Sequence, residues 1–315
     1  MIGFPPGLVI LPMHVRALAA ALALLACAPA APAVDSQSEQ AAVLAWRQQR
    51  FESLTSDSGW LTLAGLLWLQ DGSNSFGSGS GNDLVLDNPG LADTAGVFQV
   101  GDGAVSFAAD PDGGVTLNGQ SFDSVSLATD AGGNPTVLAS GPLRFFVIAR
   151  GGKLAVRVRD LDNPRRLEFR GLQYFPISTG WVVNARFVPY PAGTRIRIVN
   201  ILGMEEDDPS PGAVVFRKAG RSWRLDTVQE PGESQLLIMF ADGTSGRQTY
   251  GGGRFLYIPQ PAGGRVQVDF NKAFNPPCAL NDFATCPLPP PQNHLRQLQV
   301  TAGELTYAGA PAHAP

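Results

Sequence analysis

The chain has 315 residues, of which 16% are charged, and it carries a formal net charge of −4. That charge, with no long basic run, argues against nucleic acid as a partner. The 36 glycines and 26 prolines indicate many turns, and the length is sufficient for one large or two medium domains.

Residues 1–33 are predicted to be an export leader and linker. Residues 13–16 form a short basic segment. Residues 17–26 form an apolar segment that is far shorter than the roughly 20 residues that span a bilayer. Leu24-Leu25-Ala26-Cys27 fits a bacterial lipobox, which predicts lipidation of Cys27. The alternative is cleavage at a later Ala-x-Ala site. Both predict export, as a lipoprotein held at the periplasmic side of a membrane or as a soluble periplasmic or secreted protein.

Residues 34–58 are predicted to contain the one long helix. Ser36 and Glu39 have the spacing of a capping box, and Val43, Trp46 and Arg50 share one helical stripe within residues 41–52.

Residues 59–165 are predicted to form a β-sandwich or a similar domain, because short apolar strands alternate with turns. Asp102-Gly103 and Asp112-Gly113-Gly114 are predicted hairpin turns. Residues 77–87 and 115–120 resemble the strand order of a forkhead-associated sandwich. Ser78 stands where that family has its phosphate-binding arginine, so the resemblance does not imply recognition of phosphothreonine.

A basic stripe is predicted within residues 143–160. Lys153, Arg157 and Arg159 alternate with apolar residues on one strand. One interpretation is a solvated sheet face, and the other is a surface that binds an anion.

Residues 166–307 are predicted to form a second β region, a barrel-like or sandwich antiparallel sheet, followed by a disordered tail at 308–315. The boundary is placed between residues 160 and 168, where Asn163-Pro164 interrupts the strands. Whether the two β regions share one core is left open. Residues 205–210 (EEDDPS) are interpreted as a solvated loop, and residues 236–240 as a central strand that is buried on both faces.

Residues 266–295 contain a strand and then a proline-stiffened loop. The strand delivers Asp269 and Asn271, and Asn275-Pro276-Pro277 ends it. Loops of this kind commonly lie at a rim or over a cleft. Upstream, Gly251 to Gly253 are predicted to permit a bulge or a close backbone approach. Arg254 beside them is interpreted either as an anion clamp or as a structural partner of Asp269.

Several short sequence motifs resemble the signature of an uncharacterised bacterial family known as domain of unknown function 1684. They are DFNxAFNPPCA at 269–279, TCPLPPxxN at 285–293, YxxGRFL at 250–256, AGE at 302–304, GLxxFP at 171–176 and GWL at 59–61. The resemblance spans roughly residues 41–304 and implies no activity. His294 lies outside the family pattern.

Cys278 and Cys286 are predicted to form a disulfide, because export exposes them to an oxidising compartment. The alternative is a metal site in which Cys278, Cys286 and His294 are ligands and Asp282 or Asp269 completes the set. A nucleophilic thiolate is a third alternative.

The predicted ligand site groups five residues that are close in sequence: Tyr250, Arg254, Asp269, Asn271 and Asn275. The leading hypothesis is an exported protein that binds a small polar or anionic ligand here, with no cofactor. A second hypothesis is a hydrolase or lyase that uses Asp269, Tyr250 or Glu304 for acid–base chemistry, with Arg254 supplying charge. A third is a structural or accessory envelope lipoprotein.

Overall fold

The computed structural model describes residues 36–309. The predicted leader, with the lipidation site Cys27, lies outside these residues, as does the end of the predicted tail. Within residues 36–309, no helix is both long and apolar enough to cross a membrane.

The predicted long helix forms and is longer than its apolar stripe. Helix α1 covers Ser36–Thr55, and it buries Val43 and Leu54. A second, short helix, α2, covers Pro164–Leu167. The Asn163 side chain accepts a hydrogen bond from the backbone N–H of Arg165, and proline occupies the first turn, so α2 begins where the sequence predicted a boundary.

The first β region is a sandwich, as predicted. Its two five-stranded sheets have the orders β1-β10-β9-β8-β6 and β3-β2-β4-β5-β7. Phe76, Phe98 and Phe107 from one sheet pack around Phe145 of the other, with 5.2 Å between the ring centres of Phe76 and Phe145. The strands are β1 Leu63–Trp68, β2 Gly72–Gly77, β3 Leu84–Val85, β4 Gly96–Gly101, β5 Ala104–Ala109, β6 Thr116–Leu117, β7 Ser124–Leu127, β8 Leu138–Ser140, β9 Leu143–Arg150 and β10 Lys153–Asp160.

One of the two predicted hairpin turns joins paired strands. Asp102 and Gly103 both have positive φ and connect β4 to its antiparallel neighbour β5, as a primed two-residue turn requires. The turn at Asp112-Gly113-Gly114 instead carries the chain from β5 to β6, which belongs to the other sheet. Local turn chemistry indicates a reversal but not the partner of the following strand.

The second β region has three sheets, with the orders β15-β14-β11-β18, β17-β16-β19 and β12-β13, and none of them closes into a barrel in the described part of the chain. Phe216 and Phe240 pack against Phe270 in its core. Residues 236–240 are buried in the central strand β16, as predicted. The strands are β11 Val182–Pro189, β12 Arg195–Val199, β13 Glu205–Pro209, β14 Gly212–Lys218, β15 Arg221–Asp226, β16 Leu236–Asp242, β17 Arg254–Ile258, β18 Arg265–Asp269 and β19 His294–Leu295.

The acidic segment 205–209 is a strand and not the solvated loop that its composition suggested. It forms β13, antiparallel to β12. Arg197 on β12 forms ion pairs with Glu205 (3.2 Å) and Asp207 (3.7 Å). Because side chains alternate along a strand, Glu206 and Asp208 lie on the opposite face of β13.

Gly253 makes the close approach that the glycine-rich segment predicted. Its φ is +88°, and a Cβ there would lie 2.5 Å from Pro289 Cγ and 2.7 Å from the carbonyl oxygen of Phe240. The proline-rich loop therefore packs directly on the backbone beside β17.

Candidate anion-binding cleft

A cleft of about 610 Å³ lies where the sandwich meets the second β region. The sandwich side contributes Trp60, Arg150 and Arg157. The opposite side comes from β12, β13, β16 and β17 together with residues 228–231. The proline-rich loop closes one wall with five residues, namely Pro277, Ala284, Thr285, Cys286 and Pro287.

Arg157 on β10 is the most unusual residue of this cleft. Its register places it between Leu66 of the edge strand β1 and Phe146 of β9. Only 4% of its surface is exposed, and its buried Nε has no hydrogen-bond partner. Among the described residues, its guanidinium has neither a hydrogen bond nor an ion pair; its recorded side-chain contact is with the Trp60 ring, whose centre is 5.6 Å away.

Burial, together with the nearby charge of Arg150, lowers the pKa of Arg157 to about 10, and Asp130 opposes the shift. A pKa of about 10 still leaves the guanidinium charged at neutral pH. A buried charge without a counterion is costly in free energy. The site therefore holds a positive charge that has no ion-pair partner among residues 36–309 and that faces an open cleft.

The other two arginines of the cleft already have counterions. Arg150 lies 2.7 Å from Asp130, and Arg50 of α1 lies 3.0 Å from Glu304. Arg157 is thus the basic group of this cleft that is available to a ligand.

The opposite side of the cleft is acidic. Glu206 and Asp208 project from β13, and Glu230 accepts a hydrogen bond of 2.6 Å from the Tyr257 hydroxyl. Burial raises the pKa of Glu230, while the Tyr257 hydrogen bond opposes the shift. Burial, and then the charge of Glu206, raise the pKa of Asp208, with Arg195 opposing. Within residues 36–309, none of these three carboxylates forms an ion pair.

Arg254, the predicted ligand clamp, is a fully buried structural residue. Its exposure is 0%, and its guanidinium donates to the carbonyl oxygens of Val300 (2.9 Å) and Ala302. Its carboxylate partner is Asp242, at 3.5 Å. It therefore ties β16 and β17 to residues 300–302.

Asp269 and Asn271 lie at the end of β18. Asp269 accepts hydrogen bonds from the backbone N–H and the side chain of Asn271 and pairs with Lys272 at 3.5 Å. Asn271 also exchanges hydrogen bonds with the backbone of Ser178 and lines a different hollow, beside the start of α1.

Asn275 and Glu304 belong to a buried network with α1. Glu304 accepts a hydrogen bond of 2.7 Å from the backbone N–H of Asn275 and pairs with Arg50. Tyr250 is buried, its hydroxyl has no partner, and burial raises its pKa. The five residues of the predicted ligand site thus do not surround one cavity, and none of them lines the cleft beside Arg157.

Cys278 and Cys286 are free, buried thiols in the structure, where the sequence predicted a disulfide. Each sulfur accepts a hydrogen bond from the other residue's backbone N–H, at 3.0 and 3.2 Å. These two hydrogen bonds connect the ends of the loop without a covalent bond. The hydrogen bond from Cys286 lowers the pKa of the Cys278 thiol, and burial raises that of Cys286.

His294 does not join the cysteines in the structure. It is exposed, and its Nε2 lies 3.1 Å from the carbonyl oxygen of Pro289. Over residues 36–309 no three histidine, cysteine or acidic side chains are grouped to hold a metal ion.

The predicted basic stripe contains Arg157, but its three members have different environments in the structure. Lys153 is exposed, Arg159 donates to Gly59 O (2.7 Å) and Thr62 Oγ1 (2.9 Å), and Arg157 lines the cleft. Five further residues of the cleft were not predicted from the sequence, namely Trp60, Glu206, Asp208, Glu230 and Tyr257. For Glu206 and Asp208, the sequence offers one indirect signal. Arginine and isoleucine alternate in the preceding strand β12, and this alternation predicts that β12 pairs with a neighbouring strand.

The fold and the cleft define a mainly β protein with a polar cleft at the junction of two β regions. Residues 167–305 match the model of a family described as "Protein of unknown function (DUF1684)", which identifies this segment of the chain as a member of that family. The match covers the acidic side of the cleft and the proline-rich loop, whereas Arg157 and Trp60 precede it.

One solved structure similar to this chain is the solution NMR structure of the uncharacterized protein from gene locus rrnAC0354 of Haloarcula marismortui. The two chains are 30% identical, the match covers 45% of this chain and 79% of the other, and the TM-score is 0.38. No curated protein matches this chain.

Proposed function

We propose that this protein binds a small ligand through an anionic group that pairs with Arg157 in the cleft. The observation that carries the proposal is the buried, charged and uncompensated guanidinium of Arg157. A carboxylate or phosphate would supply the missing counterion, because guanidinium binds such groups through two parallel hydrogen bonds.

The rest of the cleft suits a ligand with an apolar part. Trp60, Phe255, Tyr257 and Phe274 line it, and the rings of Tyr257 and Phe274 are stacked with centres 5.8 Å apart. Ligand sites commonly combine apolar walls with a few polar groups that fix orientation. The proline-rich loop supplies one wall, so the ligand lies beside the segment that the sequence singled out, on residues other than the five it named.

The test uses sodium benzoate and phenyl phosphate as probes, with binding followed by calorimetry and by thermal unfolding. We expect one or both to bind and to raise the unfolding temperature of the wild-type protein. Arg157→Gln should abolish the effect, and Arg197→Gln, which changes an exposed arginine outside the cleft, should retain it. Equal binding by Arg157→Gln and wild type would contradict the proposal.

We further propose that the protein is exported and lipid-anchored through Cys27, as residues 13–27 suggest. In an oxidising compartment Cys278 and Cys286 would then form a disulfide, each thiol losing one hydrogen while a disulfide-bearing oxidant is reduced to a dithiol. Mass spectrometry of the exported protein tests both points, through the mass of the lipidated N-terminus and a loss of two hydrogens.

A second candidate function is a carboxylate-dependent hydrolase or lyase. The observation that favours it is Glu230, whose pKa is raised by burial in the same cleft as Arg157. A carboxyl group with a raised pKa in a cleft is a candidate for acid–base catalysis. With mono-4-nitrophenyl succinate as an anionic ester, Glu230→Gln should lower kcat, whereas Arg157→Gln should mainly raise KM. Unchanged kcat in Glu230→Gln would remove this candidate.

A further inference from the structure

We propose that the ligand is zwitterionic: its anionic group pairs with Arg157, and a protonated amine on the same molecule is held by Glu206 and Asp208. This inference rests on the proposed function and specifies the chemical class of the ligand.

The acidic group on β13 is divided by strand alternation into two pairs with different surroundings. Glu205 and Asp207 face outwards and share Arg197 as their counterion. Glu206 and Asp208 line the cleft and have no ion-pair partner among residues 36–309. Glu206 accepts one hydrogen bond, from the backbone N–H of Gly151 at 3.2 Å.

The two charged sides of the cleft do not neutralise each other. Among the described residues, no ion pair joins Arg157 to a carboxylate of the opposite side, and Asp130, which opposes the lowering of the Arg157 pKa, already pairs with Arg150. The charges that act on Asp208 come from Glu206, Arg195 and Asp207. One cleft therefore holds two groups of opposite charge, and neither forms an ion pair among residues 36–309.

An anion alone would satisfy Arg157 and leave the acidic side uncompensated. A ligand that also carries an ammonium group would place a positive charge beside Asp208, whose carboxylate is disfavoured by burial and by Glu206. The aromatic side chains of Tyr257 and Phe274 lie in the same cleft and provide apolar contact for the part of the ligand between its charges.

Two sources supply this chemistry, and the test separates them. A short peptide carries a carboxylate and an ammonium group, and an ethanolamine lipid headgroup carries a phosphate and an ammonium group. The first probe pair is glycyl-phenylalanine and N-acetyl-glycyl-phenylalanine. The second is O-phosphoethanolamine and monoethyl phosphate. Within each pair the second compound lacks the charged amine.

Calorimetry should show that the zwitterion of at least one pair binds about tenfold more tightly than its amine-free partner. The pair that shows this difference identifies the source. In Glu206→Gln/Asp208→Asn the difference should shrink to about twofold or less, with the amine-free compound still bound through Arg157. The control Glu205→Gln/Asp207→Asn removes the same charge from the other face of β13 and should keep the tenfold difference.

Equal binding of both members in both pairs would overturn the inference and leave the proposed function intact. The same holds if none of the four compounds binds while benzoate or phenyl phosphate still binds through Arg157. If benzoate and phenyl phosphate also fail to bind, the proposed function itself is overturned. Loss of the difference in the Glu205/Asp207 control as well would show that net charge, and not the cleft, selects the amine.

Discussion

At the scale of single residues, Arg157 and Arg254 show how differently two buried arginines are used. Both have low exposure, but Arg254 has Asp242 and backbone carbonyl groups as partners, whereas Arg157 has neither a hydrogen bond nor an ion pair among the described residues. A core arginine that has a carboxylate and backbone carbonyl groups as partners is a structural device, and one beside a cleft that has neither a hydrogen bond nor an ion pair points to a ligand.

Replacing Arg157 by methionine should stabilise the ligand-free protein by about 1–3 kcal/mol, since it removes a buried charge that has no counterion. The same variant should lose its response to benzoate and phenyl phosphate. Urea unfolding measures the first effect and calorimetry the second. A large loss of stability would instead assign Arg157 a structural role through its contact with Trp60.

The raised pKa of Glu230 predicts that the stability of the protein depends on pH. Its pKa is raised in the folded protein, mainly by burial. Between the ordinary and the raised pKa the folded state therefore binds more protons than the unfolded state, so the free energy of unfolding rises as the pH falls through that window. Glu230→Gln should reduce this rise, and should be more stable than wild type above the window. Urea unfolding from pH 7.5 to 4.5 tests both; identical pH profiles would contradict the assignment.

At the scale of elements, Arg254 connects β16 and β17 to the last described segment of the chain. Its replacement by methionine would leave Asp242 buried without a counterion and free the carbonyl oxygens of Val300 and Ala302. We expect a loss of about 3–5 kcal/mol in the free energy of unfolding. Because Arg254 does not line the cleft, the affinity of the folded fraction for benzoate or phenyl phosphate should be unchanged. A selective loss of binding would show that Arg254 contributes to the ligand site.

The proline-rich loop forms one wall of the cleft and also contains the thiols Cys278 and Cys286. An oxidised Cys278–Cys286 pair would close a short loop and raise the free energy of unfolding by about 2–3 kcal/mol. Urea unfolding with and without dithiothreitol should show this difference for protein produced in an oxidising compartment. The variant Cys278→Ser/Cys286→Ser should not respond to the reductant. No effect of the reductant on the wild type would mean that the thiols remain free.

At the scale of the whole molecule, the described residues form part of one compact unit, and the cleft draws on both β regions. The family match begins at residue 167 and therefore contains the acidic side without Arg157. In this chain, the positive group of the proposed ligand site comes from the sandwich that precedes the family segment.

Much of the fold was predictable because it depends on neighbours in the sequence. The helix, the turn at Asp102-Gly103 and the buried strand at 236–240 follow from periodicity and turn chemistry over a few residues. Grouping Tyr250, Arg254 and Asp269 by sequence proximity did not anticipate their separate environments, because the direction of a side chain from a strand depends on the pairing of that strand.

The sequence by itself determined a mainly β chain, its family and the chemical types available for a site. Only the tertiary structure decided that Arg254 pairs with Asp242, that Arg157 is buried without a partner, and that 206 and 208 face the same cleft. The physical reason is that a charge is compensated by groups close in space, and packing of distant strands decides which groups those are.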